Sequence, residues 1–434
     1  MQVSFPYPDV PPLTVPDGNL MGVFAAKECR ACGEAEDIVR DALAAPIGTP
    51  RLADLARTCR PGGARSVLIV VDDVSRPTPV HRLVPPLLAE LHDGGVPDSG
   101  IEFLLALGSH RFMTKAEIDA KLGPEVAARY PVHNHDWKDP AACELIGRTS
   151  LGVEVWMNRR VALADLVVGV GRIMPLEVSG FTGGGKILVP GVCGKLTNDD
   201  MHWTRMDLPD EAVIGKRDNA VRESIDAMAR AAGLDFILNV VMDDKARIQH
   251  AVAGDMVEAH RKGCELALRV HSVRFPREAD IVVADSFPFD IEFWQANKAL
   301  DQAALVVRKG GALILVSPCT EGFSATHREL IDFGYPPVQD IRRMVAEGRI
   351  ASKVVAVHMT QVSRVAREKA TVILVTTGIP AADVRKVGLE WASAPQEALE
   401  RAFEVAGRGA RIAVLRGAAE MLPVVDPAGG GKGS

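Results

Sequence analysis

Residues 180–194 of this chain, GFTGGGKILVPGVCG, hold one lysine behind three consecutive glycines and ahead of an apolar run closed by Pro190-Gly191. Glycine lets a backbone take φ > 0 and come close to a ligand, so Gly183, Gly184 and Gly185 form a candidate cradle for a phosphate or a flat cofactor, with Lys186 inside it. The spacing also fits the G-x-x-x-x-G-K frame of a nucleotide-binding P-loop. Ile187, however, stands where that loop needs its magnesium-binding hydroxyl, and residues 172–179 separate the glycines from the strand before them. An ordinary nucleoside triphosphatase is therefore rejected. The flanking ILVPGV run draws Lys186 toward an interior and away from a solvated surface loop.

Two more polar clusters sit where such a site needs them. A strand expected over 66–71 runs into Asp72-Asp73-Val74-Ser75-Arg76-Pro77-Thr78-Pro79, and one over 101–107 runs into Gly108-Ser109-His110-Arg111. A third strand over 164–170 precedes the glycine-rich stretch. Short continuous apolar runs of this kind are buried in parallel sheets, and open α/β sheets carry their ligand crevice outside the carboxyl ends of the strands. Helices are expected over 34–45, 81–92, 219–232 and 257–270, with Thr114 and Glu117 as a capping box. Strands over 236–242 and 248–252 complete the first half. From about 271–277 a second series of βα units begins, with strands over 281–284, 312–316, 354–357, 371–375 and 411–415. The expected fold class is α/β: two α/β domains with mainly parallel sheets and the active site in the cleft between them. The first, over 1–270, would bind the cofactor and begin with an irregular arm over 1–65. The second covers 271–425, and the low-complexity end over 426–434 is expected to be disordered.

With 434 residues, 47% hydrophobic and 24% charged, the chain can bury two or three cores without disulfide or metal staples. A net charge of -6 with no long block of either sign argues against nucleic acid or an anionic membrane and for a small-molecule partner. The first twenty residues carry neither a basic nor an apolar leader region, and no run approaches a membrane span, so a cytoplasmic protein is expected. Seven scattered cysteines fit a reducing compartment. Cys29 and Cys32 have C-x-x-C spacing, but no second pair has it, so they read as two plain thiols rather than a zinc knuckle.

Five segments together resemble the nickel-dependent lactate racemase family: DDVSRPTP at 72–79, LGSHR at 107–111, HNHD at 133–136, GFTGGGKILVPGV at 180–192 and WQANK at 294–298. They span both expected domains. The resemblance implies a cofactor: nickel held in a nickel-pincer nucleotide, a pyridinium-3,5-bisthiocarboxylic acid mononucleotide covalently attached through Lys186. It further implies that His202, in Asp199-Asp200-Met201-His202-Trp203, is the protein's metal ligand, and that companion cofactor-synthesis proteins exist. An imidazole suits nickel, and a pincer with three donors leaves one in-plane place for a protein group. The implied activity is racemisation or epimerisation of a 2-hydroxy acid by reversible hydride transfer from C2 to the cofactor.

That reaction needs a base for the hydroxyl proton, and His110 resembles the family's base. The substrate carboxylate needs a forked donor, which Arg76 supplies, oriented by Asp72 or Asp73. Asp72 and Gly183–Gly185 would contact the nucleotide. Gln295 and Lys298, three apart on one helical face, would hold substrate oxygens, with Trp294 as an apolar wall beside them. One departure stands out. The family's second histidine base follows the proline before the glycine-rich stretch, and here Pro175 is followed by Leu176 and Glu177. Either Glu177 takes over, or another histidine such as His358 does, or one base suffices for a substrate other than lactate. The alternatives are a 2-hydroxy acid oxidoreductase or dehydratase on the same scaffold, and a non-catalytic cofactor-binding homologue. His133 and His135, alternating on a strand-like run, are expected on one face in a structural hydrogen-bonded network, while His260 and His327 receive no role.

Overall fold

A computed structural model describes residues 1–26, 33–149 and 152–426. The Cys29–Cys32 pair and residues 427–434 of the expected tail lie outside the described residues. The chain forms two compact units. One contains residues 33–208 and Ala212–Val270; the other contains the N-terminal residues and everything described from His271 onward, with the short Pro209–Glu211 segment.

The unit that carries the glycine-rich stretch is built on a six-stranded sheet in the order Ile248–Gly254, Phe236–Met242, Leu166–Arg172, Val67–Asp72, Ile101–Ala106, Val132–Asn134. All neighbours are parallel except the Phe236–Met242/Ile248–Gly254 pair. Val67–Asp72, Leu166–Arg172 and Phe236–Met242 are buried along their whole length, as continuous Val/Ile/Leu runs in a doubly covered parallel sheet must be. The chain moves outward from Val67–Asp72 to Ile101–Ala106 and Val132–Asn134, then returns to the other side of Val67–Asp72 as Leu166–Arg172. The strand order therefore reverses between these two strands, and the loops leaving their carboxyl ends flank the crevice of this sheet.

The second unit holds an all-parallel sheet in the order Glu390–Ala392, Ala370–Val375, Val307–Val316, Ala279–Asp285, Ile412–Leu415, Leu20–Phe24. Two expectations are corrected by it. The arm over 1–65 holds more than the expected helix, observed at Ala35–Ala44: Leu20–Phe24 adds the sixth strand of this second sheet, and Leu52–Thr58 is a further helix of the first unit. A pairing partner almost 400 residues away leaves no local signal. Residues 354–357, expected as a strand, belong to the helix Lys353–Ser363, in which every position from Val354 to Ser363 is buried. A helix buried on all sides loses its 3.6-residue polar stripe, and its apolar run then looks like a core strand. Among the described residues no helix is long and apolar enough to cross a membrane.

Candidate active site

The loop after Val67–Asp72 and the turn after Ile101–Ala106 meet through a buried acid. Asp73 Oδ2 lies 2.5 Å from His110 Nδ1, its Oδ1 accepts from Ser75 Oγ at 2.5 Å and from Ser75 N at 3.1 Å, and Arg76 Nη1 donates to Ser75 Oγ at 2.9 Å. Burial alone would raise the Asp73 carboxyl, but His110, Arg76 and Ser75 together hold it well below the usual carboxylate range. An anionic Asp73 accepts the proton of Nδ1 and so presents the His110 Nε2 lone pair outward. His110 and Arg76, matched from separate segments, are thus linked to one carboxylate, His110 directly and Arg76 through Ser75.

Asp72 does something else. Its Oδ2 accepts from Thr78 Oγ1 at 2.5 Å and its Oδ1 pairs with Lys121 Nζ at 2.6 Å. The same ammonium donates to the carbonyls of Asp73, at 3.0 Å, and Arg76, at 2.8 Å. Lys121 is 7% exposed on the helix Lys115–Leu122, which opens with the expected Thr114–Glu117 capping box. It is a site-shaping residue that the motifs do not contain; the available signal is two adjacent aspartates ending a buried strand, which require a cation close by. Replacing Lys121 with methionine leaves Asp72 buried without its counter-charge and is expected to cost about 3–5 kcal/mol. Chemical denaturation measures this, and a loss below about 1 kcal/mol would refute the buried pair.

The glycine-rich stretch follows from Arg172 through a two-residue ladder, Pro175–Leu176 against Gly180–Phe181, into the turn Gly184–Ile187. Gly183 and Gly184 take φ of 78° and 58°. A Cβ on Gly183 would meet Ile173 Cγ1 at 2.6 Å and Asn239 Oδ1 at 2.7 Å, one on Gly184 would meet the His260 ring at 2.8 Å, and one on Gly185 would meet Ala229 at 2.9 Å. These glycines are therefore required by protein packed against them, whatever they also admit. The loop is fastened from the same direction. Gly184 N donates to Asn239 Oδ1 at 2.8 Å, His260 Nε2 donates to Thr182 O at 2.9 Å, and Arg222 donates to the carbonyls of Phe181 and Gly183. Asn239, His260 and Arg222 were missed by motif; Arg222 was findable, because it shares the Ile225–Ala229 face of an amphipathic helix.

Lys186 is held in this turn among charges. Burial, then the Arg76 cation, pull its amine down to about 7, with Arg222 adding to the effect and Glu177 opposing it. Glu177 is 8% exposed; its carbonyl accepts from Arg205 Nε at 2.8 Å, and among the described residues its Oε2 is buried without a hydrogen-bond partner. His202, on the helix Lys195–Trp203, lies close enough to feel the Lys186 charge. Its Nδ1 donates to Asn198 O at 2.9 Å, which leaves Nε2 as a lone-pair donor, and burial pulls the imidazole down to about 4. Among the described residues no three His, Cys, Asp or Glu side chains converge as a metal site. A single neutral imidazole beside a deprotonatable lysine fits a group that brings its own metal donors and is acylated onto the chain.

His133 and His135 do not share a face. His133 pairs with Glu102 at 3.2 Å, whereas His135 is fully buried, with Nε2 on Cys193 O at 3.0 Å and Nδ1 on Asn158 at 3.1 Å. The strand ends at Asn134, so the two-residue alternation no longer applies at His135.

In the second unit, Trp294, Gln295 and Lys298 lie on the first turns of the helix Phe293–Ala304, with Gln295 and Lys298 almost fully buried. The Lys298 ammonium donates to Gln295 Oε1 and lies 4.9 Å from the centroid of the Phe289 ring. The solvated lysine that an amphipathic reading suggests is thus a buried one. His358 packs on Trp294.

Two family models match successive stretches of the chain. Residues 10–213 match the lactate racemase N-terminal domain model and 275–422 the lactate racemase C-terminal domain model. A lactate racemase of Thermoanaerobacterium thermosaccharolyticum is 31% identical over 315 residues, 71% of this chain and 72% of that protein. One of Lactiplantibacillus plantarum is 28% identical over 88% of this chain and 89% of its own. The Thermoanaerobacterium lactate racemase apoprotein structure superposes with a TM-score of 0.85 at 28% identity, covering 98% of this chain and all of that one. A Thermotoga maritima crystal structure, at 22% identity and TM-score 0.72 over 90% of this chain and 98% of its own, shares the fold. By sequence and by fold, this chain belongs to the lactate racemase family.

Proposed function

We propose that this chain is a racemase or epimerase of a 2-hydroxy acid, that Lys186 tethers a nickel-pincer nucleotide and that His202 Nε2 is the protein's ligand to its nickel. Family membership supports racemase chemistry. The observation that carries the finer reading is that, within one unit, the Lys186 amine feels the Arg76 charge and His202 feels the Lys186 charge, while His110 bonds Asp73 directly and Arg76 reaches it through Ser75. Held by Lys186 and His202, such a cofactor would supply a hydride acceptor and donor for substrate C2.

The chain's own residues do the rest. Arg76 presents a planar fork to the substrate carboxylate. His110 Nε2 takes the C2 hydroxyl proton as that carbon becomes a carbonyl, and anionic Asp73 stabilises the imidazolium that results. Gln295 and Lys298 hold substrate oxygens, with Trp294 beside them. Glu177 would serve in place of the histidine absent at Leu176; in support, among the described residues one of its carboxylate oxygens is buried with no donor on it. That replacement favours an acid other than lactate.

Holoenzyme made alongside cofactor-synthesis proteins is expected to invert C2 of at least one member of a panel of 2-hydroxy and sugar acids, followed by chiral chromatography. Release of a keto acid or an elimination product without inversion would move the assignment to an oxidoreductase or dehydratase.

A further inference from the structure

Two histidines that the mechanism above does not use pack on the indole of Trp294. The His358 ring lies 4.3 Å from it, centroid to centroid, at an interplanar angle of 25°, and the His327 ring lies at the same distance at 38°. His358 comes from the buried helix Lys353–Ser363 and His327 from the segment before the helix Glu329–Phe333. They are 6% and 4% exposed, whereas Trp294 is only half-buried. His358 also meets the Phe293 ring edge-on at 6.3 Å, and its Nε2 lies 3.5 Å from Tyr335 Oη. Burying two imidazoles costs desolvation that aliphatic side chains of similar size would not incur. What imidazoles add is a flat π-face for the indole.

We propose that His327 and His358 are positioning residues which, stacked on Trp294, fix that ring and the adjoining Gln295–Lys298 turn in the geometry that receives the hydroxy acid. This rests on the reading of Gln295 and Lys298 as substrate groups. The register of the helix makes the link: Trp294, Gln295 and Lys298 occupy its first two turns, so a ring that holds Trp294 also holds the orientation of the turn carrying Lys298. Burial, then His327 and Lys298, pull the His358 imidazole down to about 3, which keeps it neutral at working pH.

The test uses full-length protein carrying fluorotryptophan. Of the five tryptophan resonances in the fluorine NMR spectrum, Trp294→Phe identifies one. In His358→Ala and His327→Ala that resonance is expected to move and broaden while the others hold, and in His358→Phe it is expected to stay, because a phenyl ring preserves the stack. In holoenzyme, His358→Ala is expected to raise KM for the acid roughly tenfold with kcat little changed, and His358→Phe to restore it. An unmoved Trp294 resonance in both alanine variants overturns the positioning role. A resonance that moves while KM holds overturns the link to the acid, and with it the assignment of this helical turn to substrate.

Discussion

Replacing His110 with alanine is expected to lower holoenzyme turnover about 10²-fold or more, the usual contribution of a positioned proton acceptor. KM should change far less, because Arg76 is held by the loop through Ser75 and does not depend on the imidazole. Asp73→Asn should lose turnover as well, since an amide at 2.5 Å from Nδ1 no longer fixes the tautomer and no longer balances an imidazolium. Steady-state kinetics on the two variants, with nickel content matched to the parent, settles the point. Near-normal kcat in His110→Ala would take the residue out of the mechanism.

The larger effect belongs to Lys186. Lys186→Ala is expected to yield protein with no covalent adduct by intact mass, no stoichiometric nickel and no inversion of any acid, whereas the parent made beside the same cofactor-synthesis proteins carries all three. An unmodified parent Lys186 with no bound nickel would sink the cofactor assignment. The apoprotein gives an independent measurement. Because the folded amine titrates near 7 rather than at its usual 10.5, acylation of Lys186 by a small amine-directed reagent should rise through about pH 7, well before that of exposed lysines. The linkage has a definite sign. Between about 7 and 10.5 the unfolded chain binds the extra proton, so the folded state gains stability as pH rises through that window, and Lys186→Met should flatten the rise. A Lys186 reactivity profile that tracks the exposed lysines would refute the desolvated amine.

Most of the strands were legible because they are uninterrupted apolar runs ended by polar turns, and a fully buried parallel strand has no other way to look. The helix Lys353–Ser363 misled for the same reason, its burial on every side erasing the polar stripe. Leu20–Phe24 was hidden because its sheet partner among the described residues, Ile412–Leu415, lies at the other end of the chain. Within the site, Arg76, His110, Lys186 and His202 could be named because chemistry restricts their type: a forked cation, a base near neutral pH, an amine and an imidazole donor. Asn239 and His260 could not, since each acts through a backbone amide or carbonyl that any fold supplies, while Lys121 and Arg222 left only indirect signals, a pair of adjacent aspartates and one face of a helix.

The sequence alone determined the family, the α/β character and which residues are candidates for the site, since those depend on residue type and on short, local spacing. Only the tertiary structure decided that Asp73, not Asp72, supports His110, and that Lys121 neutralises Asp72. It also showed that the glycines before Lys186 are demanded by Asn239, His260 and Ala229, and that His358 is a ring stacked on Trp294. Desolvation and contact across hundreds of residues set these properties, and neither is written in any one stretch of chain.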